Sequence, residues 1–229
     1  MISGINIKMI TAPTFKFLKD LKKNNNRPWF EENRGRYLLV KEEFEKFIAF
    51  LLLKMKKFDP NLDELEAKNC IFRINRDVRF SLNKTPYKKQ FSAYMAKGGK
   101  KSIYAGYYFH LEPGNCFAGG GLWVPEKEEL HKVRQEIDYS LAEFKKIITA
   151  PGFKKDYNEL DREEGQVLIN IPKGYEKDNE AGYFLKLKSF TATCNFSDSS
   201  VMENRFIDTL TKNFQTLNPF IDFLNRAVS

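Results

Sequence analysis

The segment IFRINRDVRFSLNKTPYKKQ, from Ile71 to Gln90, is the stretch around which we expect the fold to be organised. Its first residues alternate apolar and polar side chains with the two-residue period of a β-strand, so Phe72 and Ile74 point to one face. If the strand continued, Arg76 would fall on that apolar face, where an unpaired guanidinium costs several kcal/mol. The pattern therefore predicts a pair between Arg76 and a carboxylate or a break in the chain near Asn75, and it favours the break.

Positive charge is concentrated in this segment. Extended to Lys101, the window contains nine basic residues and one acidic residue, Asp77, which gives it a formal charge of +8. The whole chain has the same net charge, because the other 29 of its 38 basic residues balance the other 29 of its 30 acidic residues. A charge excess confined to one region indicates an anion-attracting surface. The nine basic residues are Arg73, Arg76, Arg79, Lys84, Lys88, Lys89, Lys97, Lys100 and Lys101.

Arginine and lysine at this density predict a binding site for a small ligand that carries a phosphate or a carboxylate. An arginine guanidinium binds either group through two parallel hydrogen bonds, and a lysine adds a mobile point charge. Asp77 is the acid expected to orient the arginines. The pattern identifies no reaction, cofactor or catalytic residue. The residues predicted to form the ligand site are Arg73, Arg76, Asp77, Arg79, Lys84, Tyr87 and Lys88.

Two other interpretations of the basic segment stay open. Nucleic-acid binding is one, because Phe80 and Tyr87 interleave with the charges and a base stacked on an exposed ring gains about 1–3 kcal/mol. The chain nevertheless contains no RNP-type motif, zinc-finger spacing or KH-type GXXG pattern. The other is a purely structural or partner-binding segment, in which Arg73 or Arg79 pairs with Asp77.

Alternating patterns after the basic segment predict a mainly antiparallel sheet. The sequence Glu112-Pro113-Gly114-Asn115 has proline and glycine at the central positions of a type II turn, which predicts a hairpin. The predicted strands are residues 87–96, 103–111, 116–118, 167–171 and 184–194.

Helical periodicity appears on both sides of these strands and between them. An antiparallel sheet covered by N-terminal, middle and C-terminal helices is an α+β fold, which is the class that we predict. Without an internal repeat or a linker, residues 1–229 are expected to form one domain. The predicted helices are a short one from Pro13, one from 28 to 57 with a bend or break at Gly35, one at 126–149, and a C-terminal one from Ser200.

Composition and motifs exclude several classes of protein. The longest aliphatic run, from Phe47 to Leu53, is far shorter than the ~20 residues that span a bilayer. Because a signal peptide is also absent from the N-terminus, we expect a cytoplasmic protein without a membrane partner. Three widely spaced cysteines favour reduced thiols over disulfides. No HExxH or CxxC motif occurs, so no metal site is predicted, and His110 is interpreted as a hydrogen-bonded structural residue.

The triplet Gly119-Gly120-Gly121 precedes a helix predicted near Pro125 and has two interpretations. Its backbone N–H groups could bind an anion, although the lysine and the serine or threonine of a P-loop are missing. The favoured alternative is a glycine-rich strand end that lets Trp123 pack closely.

Five motifs occur in a recognisable order: NNNRPWF (24–30), FRINRDVRFSLNKTPYK (72–88), YYFHL (107–111), GGGLWVP (119–125) and IPKGY (171–175). Together they resemble DUF2461, a bacterial and fungal family of conserved hypothetical proteins, over most of the chain from about 15 to 190. The resemblance implies a shared α+β fold and a shared central loop, and it carries over no reaction, cofactor or catalytic residue. Family members commonly have Lys-Asp where this sequence has Leu82-Asn83, so a mechanism that required a carboxylate at residue 83 would not apply here.

Overall fold

The structure, a computed structural model, describes residues 10–229 and contains an antiparallel sheet. Its strands are β1 (Phe91–Ala96), β2 (Gly106–Leu111), β3 (Cys116–Leu122) and β4 (Phe190–Phe196). They lie in the order β1-β2-β3-β4, and each neighbouring pair is antiparallel. With helices before, between and after the strands, this arrangement confirms the predicted α+β class.

The helices fall into three groups, as predicted, although their bounds differ. Among residues 10–229, no helix combines the length and the apolar character that a membrane crossing requires. In chain order the helices are α1 (Ala12–Lys23), α2 (Arg27–Glu32), α3 (Arg34–Met55), α4 (Ala67–Cys70), α5 (Lys127–Tyr139), α6 (Leu141–Ile148), α7 (Pro151–Tyr157), α8 (Gly182–Leu185), α9 (Asp198–Val201) and α10 (Phe206–Val228), with a 3-10 turn at Pro60–Leu62.

One face of the sheet packs under α3 and α10. Phe47 of α3 contacts Phe109 of β2 with ring centroids 5.4 Å apart, and Phe214 of α10 lies 5.2 Å from Tyr107. All four side chains are buried, and full burial of such a side chain contributes roughly 1.5–3 kcal/mol. Gly120 permits the close contact with α10, since a Cβ there would lie 2.8 Å from Leu217 Cδ2. This face is therefore the hydrophobic core.

Two predicted helices are interrupted at short polar residues, Asn33 and Ser140. The helix predicted from 28 to 57 ends at Asn33 rather than at Gly35, and the Asn33 amide donates to the Trp29 carbonyl at 2.9 Å. The helix predicted at 126–149 breaks at Ser140, whose hydroxyl donates to Glu136 Oε1 at 3.2 Å. Short polar side chains bind nearby groups in this way and favour helix ends.

The chain around the basic segment runs beside β1 without forming a regular strand. Ile71 forms an isolated bridge with Ala93, and Asn75 forms one with Tyr87. The predicted strand at 167–171 is likewise reduced to one bridge between Val167 and Leu187. The expected helix start at Ser200 is also wrong, because the short α9 covers it and α10 begins only at residue 206.

Candidate functional site

The face of the sheet opposite α3 and α10 lines a cavity of about 720 Å³. Strand pairing places its side chains in rows that run across β1, β2, β3 and β4. We call this surface the open face. The rows are Ser92, His110, Phe117 and Asn195; Tyr94, Tyr108, Gly119 and Thr193; and Ala96, Gly106, Gly121 and Thr191.

Glycines form the floor of the cavity along β3. A Cβ at Gly119 would lie 2.8 Å from Thr193 Cγ2, so β4 leaves no room for a side chain there. Gly121 has φ +129°, a conformation that residues with a Cβ rarely adopt. The favoured interpretation of the glycine triplet is wrong in one respect, because Trp123 is 74% exposed rather than closely packed. The glycines instead line the cavity together with Tyr108 on β2 and Thr193 on β4.

The walls of the cavity carry opposite charges. Lys88, Lys100 and Lys101 come from segments beside or beyond β1. Lys100 is already occupied, since its ammonium donates to the carbonyls of Lys68 and Asn69 at 3.2 Å each. The acids in the wall are Glu126, Glu129, Asp161 and Glu163.

Asp161 is held along the outer edge of β4. Its backbone N–H donates to the Thr191 carbonyl at 2.8 Å, and its carboxylate accepts a hydrogen bond from the Thr193 hydroxyl at 2.9 Å. Glu129 has a buried carboxylate oxygen, Oε2, with no hydrogen-bond partner among residues 10–229. The carboxylate of Asp161, which lines the cavity, can accept further hydrogen bonds from a donor there.

Lys88 brings a partly buried positive charge to the opposite wall. Its ammonium lies 5.1 Å from the centroid of the Phe72 ring. Burial lowers the pKa of Lys88, and the nearby positive charge of Arg73 lowers it further. No carboxylate in the described part of the chain offsets these effects. An anion in the cavity would supply the missing counter-charge.

Three residues form a hydrogen-bonded chain on the open face. The Tyr108 hydroxyl lies 3.0 Å from His110 Nδ1, and His110 Nε2 lies 3.3 Å from Glu112 Oε2. Burial lowers the pKa of His110, although Glu112 opposes this effect, and the lowered pKa favours the neutral imidazole at pH 7. With its single N–H directed at Glu112, His110 accepts a hydrogen bond from Tyr108. Tyr108 lines the cavity, and burial raises its pKa although a side-chain hydrogen bond with Ser92 opposes this effect.

Backbone strain occurs at the rim of the cavity, at Val124. This β-branched residue has φ 45°, in the left-handed region that such residues rarely occupy. Its N–H donates to the Ser189 hydroxyl at 2.9 Å, which helps to hold the conformation. Strain of this kind costs of order 1–3 kcal/mol and is concentrated at functional sites, so its position supports a role for the cavity.

Two of the three arginines predicted to bind a ligand form hydrogen bonds within the basic segment. The Arg76 guanidinium donates to the Thr85 carbonyl at 3.0 Å and to the Ser81 hydroxyl at 3.2 Å. Arg79 binds the Asp77 carboxylate through two hydrogen bonds of 3.0 and 2.7 Å. These hydrogen bonds connect residues within the loop, so the two guanidinium groups already have partners.

The remaining predicted residues are dispersed. The Lys84 ammonium donates to the Val78 carbonyl at 3.0 Å. Tyr87 is buried and stacks on Phe30 with ring centroids 4.0 Å apart. Arg73 is exposed and acts on Lys88 through its charge. Of the seven predicted site residues, Lys88 lines the cavity and the other six lie outside its wall.

Sequence reasoning missed Tyr108, His110 and Asp161 as candidate site residues. The strand sequence YYFHL contained a usable signal, because alternation places Tyr108 and His110 on one face and Phe109 on the other. Asp161 lies in an irregular segment, and its position beside β4 follows from a backbone contact that no local pattern reveals.

The cysteines do not contribute a nucleophile to this cavity. All three are free thiols, as predicted, and burial raises the pKa of Cys116 to about 12. Cys116 lies on the core side of β3, whereas His110 lies on the open face, so the two do not form a pair. Among residues 10–229, no group of three or more His, Cys, Asp or Glu residues is placed to hold a metal ion.

The chain matches the model of a protein family. The model of a family described as conserved hypothetical protein, DUF2461, matches residues 13–223, which is most of the chain. No curated protein and no solved structure matches.

Proposed function

We propose, for this chain, which belongs to the DUF2461 family, that it binds a small ligand carrying a phosphate or carboxylate in the cavity on the open face of the sheet. The observation that carries the proposal is the Lys88 ammonium, which lies partly buried in the cavity wall without a carboxylate partner in the described part of the chain. Burying an uncompensated charge is costly, and an anionic ligand would reverse that cost.

The other walls of the cavity indicate which further chemical groups the ligand should carry. Phe72, Tyr104 and Phe117 contribute ring surface to the cavity, which suits a planar or apolar body. Asp161 and Glu129 lie on the acidic side and can accept hydrogen bonds from amino, hydroxyl or ammonium groups. A ligand with an anionic group at one end and donors at the other matches both walls. Mononucleotides and phosphorylated amino sugars are examples of this chemistry.

The experiment is a binding screen with a matched pair of lysine variants. Melting temperature is measured with nucleotides, sugar phosphates and small carboxylates, since ligand at 100 times Kd adds ~2.7 kcal/mol of stability. For a ligand that stabilises the protein, Lys88→Gln should raise Kd by about 10- to 100-fold, the value of one charge-assisted hydrogen bond. The adjacent Lys89 lies outside the cavity wall, so Lys89→Gln should bind normally. Equal affinities in the two variants, or no stabilising ligand, would refute the proposal.

An oligonucleotide in the same screen addresses the nucleic-acid interpretation of the basic segment. Neutralising several phosphates makes affinity fall steeply with salt, whereas one buried ion pair does not. We expect the small ligand to bind with a shallow salt dependence. Tight binding of the oligonucleotide with a steep salt slope would favour the alternative.

A second candidate function, proton transfer to or from the bound ligand, is favoured by the chain Tyr108, His110 and Glu112. A proton leaving the ligand would pass to the Tyr108 oxygen while the Tyr108 proton moves to His110 Nδ1. The resulting imidazolium would be stabilised by Glu112, so the ligand loses one proton and His110 gains it.

Hydrogen exchange on the ligand tests this second function. A ligand that passes the binding screen is incubated with the protein in D2O, and the loss of its carbon-bound protons is followed by NMR. Tyr108→Phe should retain binding within a few-fold and lose the exchange. Exchange that survives in Tyr108→Phe, or is absent with the wild-type protein, would exclude the proton-transfer role and leave the binding proposal intact.

A further inference from the structure

A second cavity, of about 570 Å³, lies between α5 and the turn that follows residue 171. Lys127, His131 and Arg134 are spaced by four and three residues, so they share one face of α5. Lys173 and Tyr175 line the cavity from the turn. None of the residues that line this cavity lines the one on the open face.

Arg134 is the buried cation of this cavity. It is 9% exposed, and its terminal NH2 group donates to the Leu187 carbonyl at 2.8 Å. Its Nε has no acceptor within residues 10–229. Burial lowers the pKa of Arg134, and no carboxylate in the described part of the chain compensates it. A guanidinium in this position lacks both a counter-ion and one hydrogen-bond acceptor.

Tyr175 adds a second unsatisfied group to the same wall. Its hydroxyl is buried and has no partner in residues 10–229. Burial and the charge of Asp138 raise the pKa of Tyr175, and the charge of Arg134 lowers it. Native proteins seldom leave buried donors unpaired, and both groups belong to residues that line this cavity. A single oxyanion offers acceptors to both.

The charges around the cavity favour an anion over a neutral molecule. Lys127, Arg134 and Lys173 contribute three positive charges, and Glu128 is the acid among the lining residues. We infer that this cavity is a second binding site, for a small oxyanion such as phosphate or the phosphate group of a larger ligand. Arg134 and Tyr175 hold the anion at depth, and Lys173 closes over it from the turn.

The experiment titrates the full chain with inorganic phosphate. The Nε–H resonance of Arg134 is followed by NMR, because that proton gains an acceptor when the anion binds. A saturable shift is expected, and Lys173→Gln and Tyr175→Phe should each raise the phosphate Kd by about tenfold or less. Neither side chain makes a hydrogen bond within the described structure, so both variants should fold.

Two controls separate this site from other sources of a response. Lys177 is exposed next to the turn and outside the cavity, so Lys177→Gln should leave the Kd unchanged. Lys88→Gln should also leave the Arg134 response unchanged, which distinguishes failure at this site from failure on the open face. A shift that does not saturate, or a Kd equal in wild-type, Lys173→Gln and Tyr175→Phe proteins, would overturn the inference.

Discussion

The two faces of one sheet differ in composition although the same strands supply both. Toward α3 and α10, β2 presents Tyr107 and Phe109, which are fully buried. Toward the cavity, the same strand presents Tyr108 and His110, which bond to each other. The core face is stabilised by burial of apolar area, whereas the polar groups of the open face line a cavity. Substitutions on the two faces should therefore have different consequences, the first for stability and the second for binding.

The largest expected effect is on the core face. Phe109→Ala removes a fully buried ring that packs against Phe47 and should lower the free energy of unfolding by about 3–5 kcal/mol. Phe117→Ala on the open face removes a partly exposed ring and should cost much less. Urea denaturation of both variants measures the difference. Similar losses would mean that the open face is packed as tightly as the core.

The second expected effect tests whether the glycine floor of the cavity is part of the ligand site. Gly119→Val should lower stability by about 1–3 kcal/mol, because its side chain collides with Thr193, and it should also block ligand entry. Gly35→Ala is the matched control, since no atom lies within 4 Å of a Cβ there and the helix should gain up to ~1 kcal/mol. Thermal unfolding with and without ligand compares them. Normal binding by Gly119→Val would show that the floor is not part of the site.

How much the sequence revealed depends on the range of the interactions involved. Alternation and the turn at 112–115 predicted the β2–β3 hairpin, because both are local. The first interruption was expected at Gly35 rather than at Asn33, and the one at Ser140 was missed. A short polar side chain interrupts a helix only in a particular local geometry. Apolar periodicity continues across the break at Ser140 and conceals it.

The candidate site shows the same limit. Charge density pointed to the segment that contains Lys88, and Lys88 does line the cavity. It could not show that Arg76 is bound by Thr85 and Ser81, because that depends on how the loop closes. Charge counts report where cations lie in the chain and not whether a partner already occupies them.

The third expected effect is a loss of stability, without a loss of ligand binding, when arginines of the basic segment are replaced. Arg76→Ala should cost about 1–3 kcal/mol, since it leaves loop acceptors at Thr85 and Ser81 unpaired. Arg79→Ala breaks an exposed pair with Asp77 and should change stability least. Neither variant should alter ligand affinity on the open face. Urea titration measures the two changes in stability. A loss of ligand binding in either variant would show that the basic segment contributes to the ligand site.

The smallest expected effect is a pH dependence that belongs to the open face. Burial places the pKa of His110 below its ordinary value of about 6.5, so below that pH the unfolded chain binds a proton that the folded chain does not. Stability should therefore fall as pH decreases from about 7.5 toward the lowered pKa, with Glu112 reducing the slope. His110→Gln removes this titration and should flatten that part of the curve, leaving the acid-range losses of carboxylates such as Asp20. Identical curves for the two proteins would mean that His110 has the same pKa in the folded and unfolded states. The structure would then give no reason to expect that His110 is neutral and accepts a hydrogen bond from Tyr108 at pH 7.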